Sequence, residues 1–139
     1  MATKLYETDY IECYYHDEYA MNEYRWLEST ENMSQAEFRQ EAERQAQSMF
    51  ETNPLRVLSD NLNFRFPIGP ELQEWILRDI NPQWIEAGVK KLATIVPEEI
   101  FSHISIQQTV DEVREQGVID QFEMRYFDNH GDAQEWLEE

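Results

Sequence analysis

The sequence predicts one α/β domain spanning residues 1–139. It is a mixed sheet of four to five strands, with an antiparallel opening hairpin, then parallel β-α crossovers, and helices largely on one face. Three observations carry that expectation. Apolar residues alternate with a period of two over 9–16 and again over 122–126, the mark of strands with one buried face. From Ser34 the period becomes helical, gathering apolar side chains into a stripe. Strand-like and helix-like stretches then alternate to Glu139, an order that implies right-handed parallel crossovers.

The elements follow in chain order. Ile11, Cys13 and Tyr15 share one face of a strand, and after Asp17-Glu18 a second strand runs from Tyr19 to Leu27, so the pair predicts a hairpin. Ser34-Gln35-Ala36-Glu37 fits a capping box, in which the serine hydroxyl accepts from a first-turn amide and the glutamate reaches back. Phe38, Ala42, Ala46, Met49 and Phe50 form the stripe of that helix, and Asn53-Pro54 stops it. Leu55-Arg56-Val57-Leu58 reads as a buried strand, and residues 59–70 as a loop. Pro70 suits a first helical turn, followed by the stripe Leu72, Trp75, Ile76 and Ile80. Asn81-Pro82 predicts the cap and first position of another short helix, which Gly88 closes. Lys91–Val96 is a strand candidate ended by Pro97. Helical stretches are expected at about 98–103 and 105–115, the latter striped by Ile106, Val110 and Val113 and ended near Gly117. A final strand carries Phe122, Met124 and Tyr126, and a terminal helix carries Ala133, Trp136 and Leu137.

Composition narrows the function classes. Four Trp, seven Tyr and seven Phe are enough aromatic surface to set the chain apart from disordered compositions. A net charge of −18 repels phosphate backbones and anionic lipid, so neither nucleic-acid binding nor attachment to an acidic membrane surface is expected. No run approaches the ~18 apolar residues of a membrane span, and residues 1–20 do not read as a signal peptide. The lone Cys13 has no internal disulfide partner and fits a reducing, cytoplasmic setting.

Motifs of catalysis are missing from the chain. Gly69, Gly88, Gly117 and Gly131 are isolated, whereas phosphate-cradling loops cluster their glycines. His16, His103 and His130 show no ligand spacing, so no metal and no cofactor are expected. Cys13 on an inward strand face reads as a small core residue, not a nucleophile. The acidic pairs Asp17-Glu18, Glu98-Glu99 and Glu138-Glu139 read as solvated surface, and no catalytic residue is assigned. Phe64-Arg65-Phe66-Pro67-Ile68 stands out as apolar sequence within a loop. It marks either an exposed contact patch or a loop folded inward to cap the core.

Several segments together resemble the STAS superfamily of anti-sigma-factor antagonists, in particular the small bacterial SpoIIAA-like proteins. They are Glu23-Tyr24-Arg25-Trp26, Ser34-x-x-Glu37-Phe38, Ala87-Gly88-Val89-Lys90-Lys91-Leu92-Ala93 with Pro97, and Arg125-Tyr126-Phe127-Asp128 with Ala133 and Trp136-Leu137. The resemblance implies a non-enzymatic regulatory module that binds a protein partner and is switched by phosphorylation at the start of the helix after the central strand. Here that place reads Ile68-Gly69-Pro70-Glu71, without a hydroxyl, and Ser59 stands too early, so no phosphosite is carried over. SpoIIAA-like proteins also resemble lipid-carrier domains, which implies an alternative role as a small apolar-ligand carrier. The expected partner surface is the 59–71 loop, with Phe64 and Phe66 as apolar anchors, Asp60 and Arg65 as polar guides, and Ile68 and Glu71 beside them. An edge strand or an apolar helix face also leaves a homodimer open.

Overall fold

The sheet grows outward in the order of the chain, because each crossover helix returns the next strand to the neighbouring position. The computed structural model describes residues 2–103 and 122–139. Among them β1 (Ala2–Glu7), β2 (Ile11–His16) and β3 (Met21–Trp26) are antiparallel. From β3 onward β4 (Arg56–Asp60), β5 (Lys91–Ile95) and β6 (Glu123–Phe127) run parallel. The sheet order is β1-β2-β3-β4-β5-β6, so the mixed α/β class holds. The strand count is six where four to five were expected. The added strand is β1, which is mostly exposed and is held by its ladder to β2. Its Lys4 lies 3.1 Å from Glu7, a charged edge of the kind that discourages further strand pairing.

The helices are α1 (Gln35–Thr52), α2 (Pro70–Trp75), α3 (Asn81–Ala87) and α4 (His130–Glu138), and residues 98–103 are helical as well. The expected helix over 105–115 and its end at Gly117 lie outside the described residues. The capping box of α1 forms as its sequence dictates: the Glu37 amide donates to Ser34 Oγ at 3.1 Å, and the Ser34 amide to Glu37 Oε1 at 2.9 Å. Such a cap contributes about 1 kcal/mol. Phe38, Ala42, Ala46 and Met49 are buried, but Phe50 is 41% exposed, since it lies about 100° further round the helix than Met49.

Between α2 and α3 the chain does not break at Asn81-Pro82. It passes through a π-helical turn, Ile76–Ile80, in which the Asn81 amide donates to the Ile76 carbonyl. Asn81 is therefore the first residue of α3 and not its cap, correcting that expectation. Pro82 lacks an N–H, and its ring would clash with the carbonyl four residues back; the wider turn accommodates it. Gly88 ends α3 with φ +107°, a conformation that side chains disfavour.

Two cores lie on opposite faces of the sheet. On the front, α1, α2 and α3 cover Tyr24, Trp26, Val57 and Leu92. On the back, Ala133, Trp136 and Leu137 of α4 pack on Met21, Leu58, Ala93 and Ile95. Arg56 donates to the carbonyls of Leu137 and Tyr19, and Lys91 Nζ to the carbonyls of Trp136 and Glu139. Cations placed at a helix C-terminus also complement its dipole.

Candidate functional site

Period-two geometry splits the end of β4. Ser59 faces the front, where its hydroxyl donates to Asn61 Oδ1 at 2.7 Å. Asp60 faces the back, where Oδ2 meets His130 Nε2 at 2.9 Å and Oδ1 accepts from the Leu62 amide. Asp60 is thus separated by the sheet from the other residues of the expected partner surface.

The 61–69 loop then turns inward. The Arg65 amide donates to the hydroxyl of buried Thr30 at 2.9 Å, which satisfies a backbone group that an inward loop would otherwise strand. Phe66 is 8% exposed and stacks on Phe38 with centroids 5.1 Å apart. Phe64 meets Trp26 edge to face at 5.1 Å. Of the two alternatives for this segment, the inward one holds: Phe64 and Phe66 are tied into a four-ring cluster and do not project as surface anchors. The rings of Trp26 and Phe38 offer them an apolar seat at the end of β3 and in the first turn of α1. Ile68 is half-buried, whereas Arg65 and Glu71 are exposed.

Behind that cluster, between the front of the sheet and the helices, is a half-open cavity of about 290 Å³. Phe38, Phe64, Ile76, Ile80 and Trp84 line its helix and loop side, and Trp26 borders it from the end of β3. Leu92 and Met124 contribute apolar surface from the strands, Val96 from just after β5 and Phe122 from just before β6. Its polar lining consists of Gln45, Ser59, Asn61, Asn81, Thr94 and Tyr126. Among the described residues no Asp, Glu, Lys, Arg, His or Cys lines it. The π-helical turn shapes one wall, bringing Ile76, Ile80 and Asn81 to the same opening; such turns recur at functional sites.

A buried network beneath α1 fixes one side of the cavity. Tyr24 Oη lies 2.5 Å from Ser48 Oγ and accepts from Asn22 Nδ2 at 2.9 Å. Both hydroxyls reach the Gln45 carbonyl, at 3.2 Å from Tyr24 and 2.6 Å from Ser48, and so hold the backbone of Gln45 in place. Burial pushes the Tyr24 and Tyr126 phenols up and the Cys13 thiol up to about 12. All three are therefore neutral near pH 7. On the back of the sheet, burial raises the Glu23 carboxyl, but Arg25 at 2.9 Å and His16 at 2.8 Å outweigh it and hold Glu23 below the usual glutamate range. No group of three His, Cys, Asp or Glu side chains among the described residues is placed to hold a metal ion. No helix among them is long and apolar enough to cross a membrane.

Gln45, Asn81, Thr94 and Trp84 were not singled out as site residues from the sequence. Two of them carried a signal: Gln45 lies within the apolar stripe of α1, and Thr94 interrupts the run Leu92-Ala93-Thr94-Ile95-Val96. Polar residues at core positions are the informative exception.

Fold and cavity together define a mixed-sheet α/β protein with a small, mainly apolar cavity under its helix layer, without a charged side chain among the described lining residues. No family model, curated protein or solved structure matches this chain.

Proposed function

We propose that the protein is a non-catalytic binding domain of STAS-like build that holds a small apolar molecule in the front cavity. The observation that carries this reading is the lining itself: aromatic and aliphatic walls around about 290 Å³, near the lower end of the ~300–1,000 Å³ of ligand pockets. General acid–base catalysis needs a titrating group beside the reacting atom. The ionisable group in the described lining is the Tyr126 phenol, which burial keeps protonated. Native mass spectrometry of the protein purified from cells tests the reading, together with titration of butylbenzene by calorimetry. A retained small-molecule mass or saturable butylbenzene binding supports it, and Ile76→Trp, which fills one wall, should abolish that binding. Clean apoprotein with no binding of butylbenzene refutes it.

A regulatory protein-interaction role is the second reading. It is favoured by Leu62, Arg65 and Glu71, exposed along the segment that also carries Phe64 and Ile68 into the cavity. One segment would then serve both ligand and protein partner. Hydrogen exchange over 59–71 should slow on ligand addition, and unchanged exchange in a ligand-saturated sample would remove the link.

A further inference from the structure

The floor of the cavity carries a pattern that its apolar walls do not explain. Ser59 of β4 pairs in register with Thr94 of β5, and Thr94 with Tyr126 of β6. Three hydroxyl residues thus stand side by side on adjacent parallel strands, at the ~4.8 Å interstrand spacing, and all three line the cavity. The Ser59 hydroxyl is committed to Asn61. Those of Thr94 and Tyr126 have no hydrogen-bond partner among the described residues.

Gln45 adds a second, independent sign. Its side chain lines the same cavity, the residue is 5% exposed, and its amide is unpaired among the described residues, although its carbonyl is doubly bonded by Tyr24 and Ser48. Thr94 is 7% exposed. In the same lining Trp84 Nε1 is fully buried without a partner among the described residues; native proteins leave few such groups unpaired, and those they leave call for a reason. A hydrophobic occupant alone would bury Gln45 and Thr94 unpaired and gain nothing from them.

The charge of the occupant follows from what surrounds it. A carboxylate or phosphate would enter a cavity whose described lining holds no cation, in a chain of net charge −18. An ammonium would find aromatic faces but no carboxylate in the described lining. Burying an unpaired charge is far more costly than burying a hydrogen-bonded neutral group. An amide offers both a donor and an acceptor, matching the amide of Gln45 and the hydroxyl of Thr94.

We infer that the cavity takes a neutral molecule with an apolar body and an amide-type head, and that Gln45 and the Thr94 and Tyr126 hydroxyls select for that head. This inference rests on the small-molecule-binding role proposed above and deepens it. Four probes of one shape test it by calorimetry on the full chain: butylbenzene, 3-phenylpropanamide, 3-phenylpropanoate and 3-phenylpropylammonium. The amide should bind about tenfold more tightly than each of the other three. Thr94→Val, which keeps shape and removes the hydroxyl, should weaken the amide about fivefold and leave butylbenzene within about twofold. Gln45→Leu should do the same with the melting temperature unchanged or raised, because no described partner loses a bond. In the wild-type protein the Gln45 side-chain NH₂ resonance should move with the amide and stay put with butylbenzene. Equal or tighter binding of either ion overturns the inference, as does an amide preference that survives both substitutions. Butylbenzene binding without amide preference sinks this inference alone; no binding by any probe sinks it together with the role it rests on.

Discussion

Replacing Phe66 with Ala separates a core loop from an exposed contact loop. In the structure the ring is 8% exposed, stacked on Phe38 at 5.1 Å and 6.4 Å from Phe64. Removing a ring buried to this degree forfeits its transfer free energy, about 1.5–3 kcal/mol. It also leaves a void that neighbours on a strand and a helix cannot fully close, bringing the total to ~3–4 kcal/mol. In a domain of this size that corresponds to a fall in melting temperature of about 10 °C. Urea unfolding followed by tryptophan fluorescence, with a thermal melt by circular dichroism, reads both quantities. A loss below about 1 kcal/mol, typical of surface substitutions, would mean that the loop does not cap the core and that Phe64 is not held against the cavity.

Three further outcomes follow from other parts of the molecule. Cys13 is fully buried with its thiol pushed up to about 12; it should resist a thiol reagent at pH 8 in the native protein and label once urea is added, and rapid native labelling would contradict its place in the core. Ala20 ends the β2–β3 connection with φ 49°, so Ala20→Gly should stabilise the protein by about 0.5–1 kcal/mol in urea melts; destabilisation would show that the turn is not strained. Glu23 has its folded-state pKa lowered, so its contribution is present above the ordinary glutamate value and is lost as pH falls through the folded one. Stability measured at pH 6 and pH 3.5 should therefore drop further in the wild type than in Glu23→Gln, and equal drops would show that Arg25 and His16 do not favour the ionised form.

The parts of the fold legible in the sequence are those where local chemistry and burial agree. Ser34 and Glu37 mark the start of α1 because the same two residues satisfy its end groups, and Val57-Leu58 and Leu92-Ala93 mark central strands because both of their faces are covered. β1 escaped because an edge strand is held by backbone pairing, which leaves no apolar alternation in Ala2–Glu7. The π-helical turn escaped because Asn81-Pro82 is equally good as a helix start; which outcome wins depends on the packing of Ile76 and Ile80. For the site, Phe64 and Phe66 were recognised as unusual, but their direction is set by Trp26 and Phe38, about 40 and 30 residues earlier in the chain, a separation that local pattern does not encode. Sequence pattern places Ser59 and Asp60 at the start of the loop, but β4 runs on to Asp60, and only with that extension do their opposite directions follow from strand period. The hydroxyl row needed the register of three strands, and register is a property of the assembled sheet.

Because the sheet divides the interior in two, the four indoles fall into unequal groups. Trp26, Trp75 and Trp84 belong to the front core, with Trp26 and Trp84 on the cavity wall, while Trp136 sits behind the sheet under Lys91 and Arg125. The molecule thus carries its own spectroscopic control: with fluorinated tryptophan, an occupant of the cavity would shift front signals against a stationary line from Trp136. Partial unfolding that loosens α4 first would do the reverse.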